Sequence, residues 1–180
     1  MLKKFYPNSY VDSVFNIDYP KLYKLGYRGI IFDIDNTLVH HGDDSTPEVD
    51  ELFKYIQNIG FKTLLLSNNS NERVKSFIKN IDTLYIHNAE KPKKKNYLKA
   101  IEMLEIKKEE AVVIGDQVFT DVLGANRSKL DSILVEYIKE PNETNIGKRR
   151  KLENKVLEFY FKSKKYKNSK LKDITKKEHS

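Results

Sequence analysis

Apolar residues fall along this chain in two alternating rhythms. Hydrophobic runs at 29–34, 61–66, 82–86, 111–115 and 132–136 predict short strands, most of them apolar enough to be buried on both faces. Between them, at 47–59, 71–80, 93–105 and 118–128, apolar positions recur at the three-to-four-residue spacing of helices packed on one side. Local signals agree: Thr46 and Pro47 suit a helix start and Gly60 its end. Alternating strands and helices of these lengths require right-handed crossovers. The predicted fold class is therefore α/β, a three-layer arrangement with a parallel sheet of about five strands covered on both faces. A chain of 180 residues supports one such domain with short extensions. We divide it into an N-terminal extension at 1–26, a core at 27–138 and a basic C-terminal helix and tail at 139–180.

The chemistry gathers where strands end. In residues 28–39, RGIIFDIDNTLV, an apolar run closes on Asp33 and Asp35, one residue apart, and then a turn. Strand alternation would put both carboxylates on one side, at the carboxyl end where open parallel sheets bind ligands. Two carboxylates this close repel, and one keeps its proton unless a cation is near. A divalent metal resolves the conflict, and Mg2+ takes oxygen ligands and commonly shares them with phosphate. The pair thus suggests phosphate chemistry, against the plainer reading of aspartates that cap a turn.

Three further segments end in the same way. FKTLLLSNNS runs from an apolar stretch into Ser67, whose polar turn also suits the cap of the next helix. In AEKPKKKNYLKAIEML, Lys91 precedes Pro92 and a helix with Leu98, Ile101 and Leu104 on its apolar face, while Lys93, Lys94 and Lys95 read as a solvated run. EEAVVIGDQVFTDVLGANR closes a buried strand on Gly115 and Asp116, with Asp121 five residues later. A glycine there permits a tight turn beside a ligand, and the next helix can carry Asp121 back toward it.

In this order, DIDNTL, LLLSNN, AEKPKK and GDQVFTD resemble the four motifs of the haloacid dehalogenase-like (HAD) superfamily, over about residues 27–136. The resemblance implies a Rossmann-like fold with Asp33 as the nucleophile on phosphorus, Asp35 as general acid/base and Thr37 as turn support. It implies that Ser67 and Asn68 bind the phosphoryl group and that Lys91 neutralises it. It further implies Mg2+ as cofactor, held by Asp33, Asp35 through its backbone carbonyl, Asp116 and Asp121, with Gly115 supporting the turn. Dehalogenase relatives lack the second aspartate, so Asp35 favours a phosphatase.

The intervals from Asp35 to Ser67 and from Ser67 to Lys91 leave no room for the cap domain that many HAD enzymes insert there. The expectation is a capless phosphatase of subfamily IIIA. It is similar to the YqeG-like branch and to the phosphatidylglycerophosphatases, a narrower likeness that includes the Arg149 and Arg150 region. Without a lid, a small metabolite is not enclosed, so the substrate should supply its own cover. The expected enzyme is a Mg-dependent phosphomonoesterase acting on a bulky or membrane-borne substrate such as phosphatidylglycerophosphate. Its alternatives are a phosphatase of protein or nucleic-acid phosphates, and a nucleic-acid-binding protein that uses the basic tail.

Charge changes the picture at one end only. The net charge is +7, yet residues 139–180 hold 14 basic and 6 acidic side chains, leaving −1 for residues 1–138. The tail predicts an amphipathic helix with Leu152, Val156, Phe159 and Tyr160 on one side and lysines on the other. Aromatic and basic residues together fit an anionic membrane surface, and they fit nucleic-acid phosphates too. The competing reading packs the helix on the domain and leaves the last fifteen or so residues solvated.

The N-terminal segment is too polar for a membrane span and lacks the apolar stretch of a signal peptide. Its cluster of Phe5, Tyr6, Tyr10, Val11, Val14, Phe15 and Ile17 is expected to dock for the most part on the domain, the alternative being a dip into a bilayer interface. The chain has no cysteine, which suits a reducing cytoplasm. The expected location is cytoplasmic, with peripheral contact at the inner membrane face; oligomeric state is not legible. His40, His41 and His87 read as surface loop residues rather than metal ligands.

Overall fold

The computed structural model describes residues 2–139, 147–164 and 168–176. One sheet of six strands runs in the order β1-β6-β5-β2-β3-β4, with every neighbouring pair parallel. The strands are β1 (Ser9–Val11), β2 (Gly29–Phe32), β3 (Lys62–Leu66), β4 (Leu84–Ile86), β5 (Ala111–Gly115) and β6 (Asp131–Val135). The helices are α1 (Tyr19–Lys24), α2 (Pro47–Ile59), α3 (Asn71–Phe77), α4 (Lys94–Leu104), α5 (Leu123–Ser128) and α6 (Lys148–Phe161). The three-layer α/β architecture is the predicted one, and the described residues form no cap.

The central strands are apolar at every position because both faces are covered. Ile30 and Phe32 of β2 share a core with Leu22, Phe53, Ile56, Val74 and Phe77 from α1, α2 and α3. The intervening Ile31 faces the opposite layer, among Tyr97, Ala100 and Ile101 of α4 and Ala125 of α5. Helix limits follow local chemistry. Thr46 Oγ1 accepts from the Val49 amide at 3.3 Å, and Gly60, at φ +112°, closes α2 in the left-handed region that glycine enters without cost.

The sheet has six strands rather than about five. The additional one, β1, is three residues of the N-terminal segment laid along β6, with Ser9 opposite Ile133 and Val11 opposite Val135. Three residues make too short a run to stand out by alternation, and this one is defined by the edge it covers. Two predicted helices are also broken. The 71–80 segment passes into a 3-10 turn at Ile78–Asn80, and the 118–128 segment begins as a π turn at Val118–Val122 before α5.

The C-terminal segment departs from its predicted face. Val156 and Tyr160 of α6 are buried, but Leu152 and Phe159 are 54% and 57% exposed. The third buried position of the helix is Glu153, a charged residue, for a reason that lies in the site. Residues 168–176 return to the domain instead of trailing in solvent. Leu171 and Ile174 are wholly buried beside Ile17, Thr175 bridges Ile17 in antiparallel fashion, and the Asp18 amide donates to the Ile174 carbonyl at 2.7 Å. Positions 140–146, 165–167 and 177–180 of the expected helix and tail lie outside the described residues. Among the described residues no helix is long and apolar enough to cross a membrane.

Candidate active site

Parallel strands in register release their chains at a common edge. Phe32 of β2 lies opposite Leu65 of β3 and Ile114 of β5, so Asp33, Ser67 and Asp116 emerge together at the carboxyl end of the sheet. The Asp33 amide still donates to Ile114 at 2.9 Å, and the Ser67 amide to Ile86 at 3.0 Å. Lys91 comes from the loop after β4. That loop is tied to the one after β3: the Ala89 amide donates to the Ser67 carbonyl at 2.9 Å, and the Lys91 amide to Asn68 Oδ1 at 2.8 Å.

The Lys91 ammonium is 4% exposed and sits between two carboxylates, 2.6 Å from Asp33 Oδ1 and 2.7 Å from Asp121 Oδ1. Burial opposes its charge, but Asp121 and Asp33 outweigh burial and hold Lys91 firmly protonated. For Asp33 the balance runs the other way. Burial, against the attraction of Lys91 and with the repulsion of Asp121 and Asp116, pushes its carboxyl up to about 8.

Asp116 is buried behind this pair. Thr37 Oγ1 donates to its Oδ1 at 3.1 Å, and Arg150 grips both its Oδ2 and its main-chain oxygen. Burial still raises the Asp116 pKa, opposed by Arg150 and reinforced by Asp121. Asp121 rides on the π turn, where the Val122 amide reaches back five residues to the Gln117 carbonyl. Such a widened turn is a recurrent functional device. Its Oδ2 accepts from the Gln117 amide at 3.1 Å. A Cβ on Gly115 would overlap the Asp121 carboxylate, so the glycine is needed for close approach.

Carboxylate oxygens of Asp33, Asp116 and Asp121 lie within 4.8 Å of one another. With Glu153, which shares Arg150, four buried carboxylates meet two cations, Lys91 and Arg150, a surplus of negative character that raises the Asp33 and Asp116 carboxyls. Hard oxygen donors with surplus negative charge fit a divalent cation such as Mg2+. The donor set alone does not name the ion.

Asp35 lies outside this group. β2 ends at Phe32, so strand alternation does not reach Asp35, and the chain turns at Asn36, φ +61°. Its carboxylate accepts from Asn69 Nδ2 at 2.6 Å, from Arg73 Nη2 at 3.1 Å and from the Gly42 amide at 3.2 Å, with His41 Nδ1 at 3.3 Å. Burial alone would raise its pKa, but the hydrogen bonds from Asn69 and Gly42 and the charges of Arg73 and His41 prevail and hold it below the ordinary range. The two aspartates open onto one cleft of about 180 Å³, which Ser67, Asn68, Asn69, His41, Gln117 and Thr120 also line.

The chain matches the family model described as hydrolase, haloacid dehalogenase-like hydrolase, over residues 41–129. It is 43% identical over 137 residues to "Probable phosphatase YqeG" of Bacillus subtilis (strain 168), spanning 75% of this chain and 80% of that one. The chain belongs to the haloacid dehalogenase-like hydrolases. Among solved structures, a protein from Listeria monocytogenes serotype 4b superposes with a TM-score of 0.54 at 18% identity, covering 76% of this chain and 99% of that one. The "putative HAD-hydrolase YfnB" of Bacillus subtilis, bound to magnesium, gives 0.50 at 12% identity over 68% and 90%. At these identities the structural likeness shows the fold alone.

Asp33, Asp35, Asn68, Ser67 and Lys91 thus share one cleft, with Asp116 and Asp121 behind it and Thr37 and Gly115 bracing them. The sequence placed His41 on a surface loop and gave Arg150 only as part of a narrower likeness; it assigned no role to Asn69, Arg73 or Glu153, nor to the contacts of His41 with Asp35 and of Arg150 with Asp116. One signal was available for Arg73: it stands in the first turn of α3, where a positive side chain opposes the helix dipole and so calls for another partner. Within the run GKRRK nothing marked Arg150 as the partner of Asp116.

Proposed function

We propose that this hydrolase is a Mg2+-dependent phosphatase of phosphate monoesters, working through an aspartyl-phosphate on Asp33. The observation that carries the reading is the divergence of two neighbouring carboxylates. Asp33 is pressed against Lys91 beside Ser67, whereas Asp35 is held apart by Asn69 and Arg73 at the same cleft. In the metal-free chain burial raises Asp33, and the Asn69 and Gly42 hydrogen bonds lower Asp35, the reverse of the protonation from which attack starts, so a cation beside Asp33 is part of this reading.

In the first step an Asp33 oxygen bonds to phosphorus while the ester P–O bond breaks, and Asp35 delivers a proton to the departing alkoxide. In the second step Asp35 takes a proton from water as its oxygen attacks the phosphorus; inorganic phosphate leaves and Asp33 is restored. Lys91, Ser67 and Asn68 orient the phosphoryl oxygens and offset their charge. Asp33, Asp116 and Asp121, with the backbone carbonyl of Asp35, would hold Mg2+, which supplies further positive charge for the phosphoryl group when bound. The relative named as a phosphatase and the magnesium-bound fold neighbour are consistent with this assignment.

The substrate we propose is bulky or membrane-borne, such as phosphatidylglycerophosphate, met at the inner face of a cytoplasmic membrane. Two features support it: a cleft over which the described residues place no cap, and the exposed Leu152 and Phe159 of α6, set among Lys148, Lys151, Lys155 and, at its C-cap, Lys162. A phosphatase of protein or nucleic-acid phosphates shares the same chemistry. A phosphate-release screen with Mg2+ decides between them, offering phosphatidylglycerophosphate in vesicles, phosphopeptides, 5′-phosphorylated oligonucleotides and sugar phosphates. Preference for the lipid is expected. Preference for a soluble sugar phosphate overturns the substrate class, and salt-sensitive oligonucleotide binding with no phosphate release from any compound overturns the enzyme reading.

A further inference from the structure

The region matched to the family ends at residue 129, yet the site is completed from outside it. Arg150, in the first turn of α6, donates from Nη1 to the main-chain oxygen of Asp116 at 2.7 Å and meets Asp116 Oδ2 through Nη2. Its guanidinium lies 4.6 Å from the ring centre of Tyr137, just after β6. One turn along α6, the buried Glu153 accepts from Arg150 Nη1 at 3.1 Å and, through its other oxygen, from the Phe119 amide at 3.3 Å. Phe119 belongs to the π turn that carries Asp121. A single helical turn therefore touches both the loop bearing Asp116 and the turn bearing Asp121.

We propose that Arg150 and Glu153 are positioning residues of the metal centre, fixing the Asp116 and Asp121 carboxylates at a set separation before an ion binds. The proposal rests on the reading of these aspartates as Mg2+ ligands. The physical need is plain: two buried carboxylates repel, and without outside restraint each would turn away from the other. Arginine suits the task because its planar fork grips a carbonyl and a carboxylate together, which a lysine ammonium does with neither the reach nor the geometry. The inward-facing glutamate is explained by the same need. It spends the buried face of α6 on holding Arg150 and the π turn rather than on an apolar contact.

The test is a magnesium titration of the full chain by calorimetry at fixed pH, alongside thermal unfolding. Arg150→Lys keeps the charge and loses the two-point grip. Arg150→Met with Glu153→Leu removes the pair together, so that Glu153 is not left buried without its partner, while Asp116 keeps the Thr37 hydrogen bond. Lys155→Ala, on the exposed side of α6, is the control. The proposal expects both substituted forms to remain folded and to bind Mg2+ about 10–100-fold more weakly, the range for loss of a partner that orients a metal ligand. The control should bind as the unaltered chain does.

Two outcomes overturn the proposal while leaving the phosphatase reading standing. If Arg150→Lys binds Mg2+ as tightly as the unaltered chain, only the charge matters. If the double substitution binds it equally or more tightly, Arg150 merely competes with the ion. An unaltered chain that takes up no Mg2+ overturns both readings. If the double form does not fold, Arg150→Lys and Glu153→Gln carry the same comparison.

Discussion

The two sides of the cleft hold aspartates two residues apart in the chain and treat them in opposite ways. On the Asp33 side, four carboxylates, Glu153 among them, share two cations and negative charge is in surplus. On the Asp35 side, one carboxylate receives Asn69, Arg73, Gly42 and His41, and its charge is more than met. The first arrangement is unfavourable for the folded chain by itself and favourable for a cation. The second is settled without any ligand. A site that must receive a metal and a phosphate keeps its strain where those groups will sit.

The comparison breaks or sharpens under substitution. Asp33→Asn should lower phosphate release about 10⁴-fold or more, as loss of a nucleophile does, while making the metal-free protein more stable because a repelled charge is gone. Assays of turnover and denaturant unfolding together test both halves; an active Asp33→Asn removes the nucleophile assignment. Asp35→Asn should cost about 10²–10⁴-fold in rate and, in contrast, lower stability by about 1–3 kcal/mol because Asn69 and Arg73 lose a charged acceptor. Should both variants shift stability in the same direction, the two sides are not electrostatic opposites.

Gly115→Ala forces a methyl against the Asp121 carboxylate. A loss of about 1–3 kcal/mol is expected from overpacking, with weaker Mg2+ binding, read by unfolding and calorimetry; unchanged metal affinity would place Asp121 outside the metal's reach. The last comparison is in pH. The Asp33 carboxyl is raised from 3.8 to about 8 in the folded chain, so the folded state holds its proton longer than the unfolded state does. Metal-free stability should therefore decline as pH rises across that interval. Mg2+ or Asp33→Asn should flatten the decline, as thermal unfolding at a series of pH values would show.

The central layer was readable because each step had a strong local sign. Apolar runs at 29–34, 61–66 and 111–115 yield β2, β3 and β5, and the polar residue after each run is a site residue. The parts that escaped lack such signs. β1 is three residues whose partner lies over a hundred positions away. The π turn is a change of pitch inside an otherwise helical pattern. Arg150 sits in a run of basic residues, where composition argues for solvent, and its meaning comes from Asp116, which only the fold brings near. The lysine-rich appearance of the tail concealed Leu171 and Ile174, two apolar residues in a charged context that are wholly buried.

That burial has a practical corollary for handling the protein. Head and rear of the polypeptide are stitched along one flank, Ile17 to Thr175 and Asn16 to Lys176, so trimming either end to a tidy catalytic fragment would uncover the hydrophobic seam beneath Val14 and Leu22. Fusion partners and affinity tags belong on long spacers, and a version shortened only after α6 that precipitates would report a torn seam, since Arg150 and Glu153 still brace Asp116.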